Sequence, residues 1–178
     1  MLEPRYTVMV DPTATHAKLI VTPHSSADPT VYEFAARSLG TGRVGYGLHI
    51  HGRGAWDLSN YGGGDSILIW ITSDSAAYGD QSPRLQVYRS RDEVNMTMLT
   101  SVRIPGSVYE EQRYRIEYDP AAGRVSVDVA GVRRLDLADL GNPPGFDFAA
   151  LRTLGRAEFA DFSILRPLPA APPEGSHE

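Results

Sequence analysis

The chain has no cysteine, and Lys18 is its only lysine among 17 basic residues. Without cysteine there is no disulfide framework, no thiolate metal site and no thiol nucleophile. The compartment stays open on that ground alone. The near-absence of lysine makes the positive charge almost entirely guanidinium. That reads first as a compositional bias; the functional alternative is bidentate recognition of carboxylates or sulfates. No excess of positive charge exists either: the net charge is −5, with both signs scattered along the chain, which argues against a nucleic-acid partner. No stretch approaches the roughly 20 apolar residues of a membrane span, so no membrane insertion is expected. Met1 is followed by Glu3, Pro4 and Arg5 without the apolar stretch of a signal peptide. The expectation is a mature chain or an excised domain of a larger exported bacterial protein, extracellular or periplasmic, with other domains as partners. A cytoplasmic location stays open.

What is present is a succession of short strands. At 178 residues the chain suits one domain with a core that needs no staples. Turn residues separate candidate strands at 5–10, 17–21, 31–39, 46–53, 65–72, 84–89, 96–104, 113–118, 124–129, 132–137 and 157–165. The clearest hairpin joins Arg113–Tyr118 to Arg124–Val129. Its apolar positions alternate, and Asp119-Pro-Ala-Ala-Gly123 supplies the turn. A second turn is expected at Ala130-Gly131. Helical signal is weak: Ala138–Leu140 and Phe148–Leu154 are each expected to hold about one turn. Strands without βαβ alternation imply an all-β sandwich or barrel. The reading is one β-sandwich domain over 1–166 and a flexible Pro/Ala-rich tail over 167–178.

Three consecutive segments carry the functional signal. Successive strand side chains point to opposite faces. With Leu48 and Ile50 inward, His49, His51 and Arg53 face outward. With Ile67, Ile69 and Ile71 inward, Trp70 shares the other face, and with Leu85 and Val87 inward, Gln86 and Tyr88 do. A face with aromatic rings, imidazoles, an amide and a guanidinium suits a sugar, whose apolar face stacks on a ring while its hydroxyls take hydrogen bonds. The opposite parity for 67–70 is also open, because four apolar residues in a row fit a strand buried on both faces.

Tyr114–Gly131, a strand, turn and strand closed by a small-residue-Gly turn, and Arg156–Ile164, a terminal returning strand, resemble the concanavalin A-like lectin/glucanase superfamily, which includes laminin-G-like modules. The resemblance implies a two-sheet antiparallel jelly-roll β-sandwich. It implies that the three-strand meander forms the middle of a concave sheet, with His49, His51, Arg53, Trp70, Gln86 and Tyr88 lining a groove. Loops carrying Trp56, Tyr61, Tyr78 and Asp80 would wall it, and the returning strand would lie beside the hairpin. The implied function is recognition of a glycan or polysaccharide, with Trp56 joining the binding residues.

Whether such a domain is also an enzyme stays open. The paired carboxylates of a retaining glucanase are missing, since Asp119 sits before a proline in a turn. A polysaccharide lyase acting on a uronate glycan is the alternative, with His51 as base, Tyr88 as acid and Arg53 clamping the carboxylate. A structural or protein-interaction domain without a small ligand is a third reading. Two histidines on one face suggest a metal only if Asp65 or Asp80 completes the set. No cofactor is expected beyond a structural calcium, common in the superfamily, for which Glu158 with Asp161, or Asp11 with Asp28, supply carboxylates. Gly62–Gly64 lacks the Lys-Ser/Thr and helix of a phosphate loop.

Overall fold

Side-chain alternation along short strands fixes the architecture, and pairing sorts the strands into two layers. The computed structural model of the chain describes residues 5–8, 17–23, 28–53, 64–92, 94–140 and 148–165. The strands are β1 (Arg5–Val8), β2 (Ala17–Pro23), β3 (Thr30–Ser38), β4 (Val44–Arg53), β5 (Asp65–Ser73) and β6 (Arg84–Ser90). They continue as β7 (Met96–Arg103), β8 (Gln112–Asp119), β9 (Arg124–Val129), β10 (Val132–Leu137), β11 (Phe148–Leu154) and β12 (Ala157–Leu165), with one helical turn, α1 (Ser75–Tyr78). One sheet has the order β1-β12-β3-β8-β9-β10 and the other β2-β11-β4-β5-β6-β7. Every pairing is antiparallel. This is the two-sheet all-β sandwich expected from the sequence.

Four local expectations are corrected. Phe148–Leu154 is strand β11, held between β2 and β4, not a helical turn. Its apolar residues mimic a helical spacing, but Ala149 and Leu151 face the core and a neighbour pairs on each side. Ala138–Leu140 is irregular: Asp139 has φ 59°, and the Leu140 N–H donates to the Gly123 carbonyl at 3.0 Å. The loop after β5 holds α1, whose first turn is capped by Asp74: the Ala77 N–H donates to its Oδ1 at 3.1 Å. The returning strand β12 pairs with β1 and β3, so β3 separates it from the β8–β9 hairpin. The turns at 119–123 and 130–131 form as expected. Asp119 Oδ1 accepts from the Ala122 N–H at 3.0 Å, and Ala130 and Gly131 both take positive φ, as a tight hairpin turn requires.

The inner faces meet in one core. Tyr32, Phe34, Tyr114, Ile116 and the valines of β9 face Tyr46, Leu48, Ile50 and the isoleucines of β5. Aromatic rings bridge the layers: Tyr46 of one sheet meets Tyr114 and Phe159 of the other edge-on, with centroids 5.9 and 6.1 Å apart. The hydroxyls of Tyr46 and Tyr114 share a buried hydrogen bond of 2.8 Å. Burial pushes Tyr46 up to about 12, against a smaller opposing effect of that hydrogen bond, and lifts Tyr114 as well.

The outer faces differ in chemistry. That of the β3–β8–β9–β10 side is an ion-pair lattice. Arg115 joins Glu33 and Glu117, Arg133 joins Glu117 and Asp128, and Arg124 joins Asp136. Such exposed pairs add little stability but leave a surface with its charges already matched. The outer face of the β4–β5–β6 sheet carries no such lattice among the described residues, and strand β5 is buried on both sides.

Strand β4 approaches β5 so closely that Gly47 admits no side chain: a Cβ there would stand 2.1 Å from the Ile69 carbonyl oxygen. Gly47→Ala is expected to cost about 1–3 kcal/mol by overpacking, read as a lower urea midpoint. Tyr46→Phe alone strands the Tyr114 hydroxyl and is expected to cost about 1–2 kcal/mol, with the double Tyr→Phe variant closer to wild type. The raised Tyr46 also sets an alkaline limit. Below the ordinary tyrosine range its contribution is intact. As pH rises from about 10 to about 12 the unfolded chain ionises first, and stability falls by roughly 2–3 kcal/mol. Urea titrations at pH 9 and pH 11 measure about half of this fall, roughly 1 kcal/mol, and Tyr46→Phe reduces it.

Candidate functional site

Register across the β11–β4–β5–β6–β7 sheet decides which outward side chains meet. One rung runs Arg152, Gly47, Trp70, Gln86 and Ser101; the next runs Ala150, His49, Leu68, Tyr88 and Met98. Because Gly47 has no side chain, Trp70 and Arg152 meet across it, with the guanidinium carbon 4.8 Å from the ring centroid. The indole also covers Gly45, where a Cβ would stand 2.3 Å from its Cζ2. Glycines in β4 therefore let the largest side chain of β5 lie flat against its neighbour.

Gln86 is fixed at both ends. Its Oε1 accepts from the Tyr88 hydroxyl at 2.9 Å, and its Nε2 donates to the Tyr78 hydroxyl. Tyr78 comes from α1 and lies under the Arg84 guanidinium, 4.1 Å from the ring centroid. Tyr88 is half-buried, and its phenol is raised by that burial and by Tyr78, while the positive charges of Arg152 and Arg43 oppose the rise. Trp70, Tyr88, Arg152, Leu68, Met96, Leu154 and Arg43 line a cleft of about 190 Å³. That is below the roughly 300 Å³ of a drug-sized pocket and suits one small ring.

The structure brings Trp70, Gln86 and Tyr88 together on the expected face, and the parity with Ile67, Ile69 and Ile71 inward is the one found. Trp70 is less open than a free platform, with 7% exposure, and Gln86 is buried. His49 shares the face but is fully buried, its Nδ1 2.9 Å from the Ser66 hydroxyl. It positions neighbours and does not meet solvent.

The expected shared face of His49 and His51 is corrected. A bulge between Ile50 and Arg53 inserts one residue into β4, and His51 takes φ 50°. Its ring turns into the core and meets Tyr118 edge-on, with centroids 4.4 Å apart. His51 and Tyr88 thus lie on opposite faces of the sheet, so the proposed lyase pair cannot act on one sugar. The pair of imidazoles cannot hold one metal either, and no three His, Cys, Asp or Glu side chains gather among the described residues. Arg53 ends β4 opposite Asp65. Trp56, Tyr61 and Asp11 lie outside the described residues. Asp80 takes hydrogen bonds from the Ser82 N–H and from Arg103. Glu158 is paired with Arg37 and Asp161 with Arg113.

Sequence reasoning missed Arg152, Arg43, Met96 and Leu154. Reading 148–154 as helical hid the alternation that sends Arg152 outward beside Gly47. Arg43 precedes β4 and is set beside the cleft by an ion pair with Asp74 at 2.9 Å, which no local pattern announces.

No protein-family model matches this sequence, and no curated protein sequence matches it. Solved structures do resemble it in shape. A carbohydrate-binding module, CBM66, from Bacillus subtilis superposes with a TM-score of 0.64 at 12% identity, covering 90% of this chain and 94% of that one. The carbohydrate recognition domain of Emp46p, in its potassium-bound form, gives 0.66 at 12% identity, over 90% and 82% of the two chains. A legume lectin-like domain from Entamoeba histolytica gives 0.60 at 11% identity, over 93% and 88%. At these identities the likeness is one of fold: the chain has the two-sheet jelly-roll β-sandwich fold of these structures.

Proposed function

We propose that the chain is a non-catalytic carbohydrate-binding domain that seats a sugar ring in the cleft between Trp70, Tyr88 and Arg152. The observation that carries this reading is the contrast between the two outer faces: one is a matched ion-pair lattice, while the other gathers two aromatic rings, a fixed amide and two guanidiniums around a small cleft. Apolar edges suit the C–H face of a pyranose, and Arg43 and Arg152 offer donors in fixed planes to hydroxyl or carboxylate oxygens. The names of the neighbours in fold, which include a carbohydrate-binding module and a carbohydrate recognition domain, support the same reading.

The size of the cleft bounds the affinity. At about −0.3 kcal/mol per heavy atom, a ring of about twelve atoms gives roughly −4 kcal/mol, a dissociation constant near 1 mM. Separation of His51 from Tyr88 favours binding without turnover.

The test is a glycan and polysaccharide screen followed by calorimetry, with absorbance of unsaturated uronate ends monitored in parallel. Wild type is expected to bind without new absorbance. Tyr88→Ala and Trp70→Ala are each expected to weaken binding about tenfold or more, equivalent to about 1.4 kcal/mol. Circular dichroism checks that Trp70→Ala, which empties a buried site, still folds. Accumulating absorbance, or binding indifferent to both variants, would overturn the proposal.

A further inference from the structure

We propose that the cleft is the first subsite of a longer groove that runs over one end of the sandwich, and that Tyr109 is a second stacking platform for a sugar chain. This rests on the carbohydrate-binding reading of the cleft and extends it from a single ring to an oligosaccharide.

The end in question is where β3, β5 and β7 finish and β4 and β6 begin. Two further depressions lie there, of about 520 and 580 Å³. Arg43 walls both the cleft and the first of them, and Gln81 and Tyr109 wall both the first and the second. Shared walls make the three adjoin in sequence: the cleft at Trp70, then Asp74 and Ala77, then Arg103 and Gly106. Together they far exceed what one ring needs, while the cleft alone holds about one.

The groove's polar groups suit a hydroxyl-rich chain. At the first junction Arg43 is 73% exposed in its side chain while paired with Asp74 at 2.9 Å, so both a donor fork and an acceptor are held at the rim. At the far end Arg103 is paired with Asp80 at 3.1 Å. The aromatic group is Tyr109, 42% exposed, whose hydroxyl reaches back to the Gly42 carbonyl at 3.4 Å. Its segment is anchored: the Ser38 N–H donates to the Val108 carbonyl at 2.7 Å, and Val108 is buried in the core. A large exposed ring on a pinned backbone offers stacking area at little ordering cost. A weak single subsite gains from such an extension, since each added contact is made by a chain already held.

The experiment measures affinity against chain length. Gluco-, manno- and galacto-oligosaccharide and oligogalacturonate ladders, from monomer to hexamer, are titrated into wild type, Tyr109→Ala, Tyr109→Phe and Trp70→Ala. At least one ladder is expected to tighten about tenfold between dimer and tetramer. Tyr109→Ala is expected to return the tetramer to the affinity of the dimer, Tyr109→Phe to retain the gain because it keeps the ring, and Trp70→Ala to weaken every length. Binding that does not change with length, or a length-dependent gain that survives Tyr109→Ala, would overturn the groove while leaving the cleft as a binding site. Absence of binding at every length in all four ladders would overturn both the groove and the cleft.

Discussion

Two glycines in β4 set the conditions for the rest of the outer face. Gly45 and Gly47 leave no side chain beneath Trp70, so the indole lies against the β4 backbone, and Arg152 reaches it across the empty position. A β-carbon at either glycine would meet atoms at 2.3 Å or less. Strand β5 is buried on both sides, and its sequence is accordingly an apolar run even though Trp70 points to the outer face. Trp70 is then held by packing before any ligand arrives, and its exposed part is an edge of the cleft. Gln86, fixed by Tyr78 and Tyr88, extends the same rigidity to the next strand.

The two outer faces differ in chemistry although each belongs to an antiparallel sheet of six strands. On one, Arg115 and Arg133 converge on Glu117, and the guanidinium of Arg115 holds that carboxyl below its ordinary range. Charges so matched keep water at the surface and leave little for a partner to add. On the other face the arginines beside the cleft border aromatic rings and a fixed amide. Between the two faces, the core is tied by the hydroxyls of Tyr46 and Tyr114, each of which gives the other a buried partner.

A single inserted residue changes the chemistry available at the centre. Without the bulge at 50–53, alternation would set His51 beside His49, and a base, an acid and a clamp would share one face. With it, His51 packs in the core against Tyr118. A β-bulge moves one side chain through the sheet while the strand continues, and here it removes the imidazole from the face where the sugar is proposed to bind.

The sequence by itself determined the all-β class, the hairpin turns and every strand but β11, and of the two parities open for β5 it put first the one found, because each rests on neighbours within a few residues. Trp70, Gln86 and Tyr88 were legible for that reason: their facing follows from alternation with Ile69, Ile71, Leu85 and Val87. Only the tertiary structure decided the remainder. Phe148–Leu154 is a strand since β2 and β4 pair with it from 96 or more residues away in the chain. Arg152 belongs to the cleft by virtue of that pairing, and Arg43 by virtue of Asp74 across a loop. His51 leaves the face because a bulge is a mismatch between two strands, and a mismatch is not written in either strand alone.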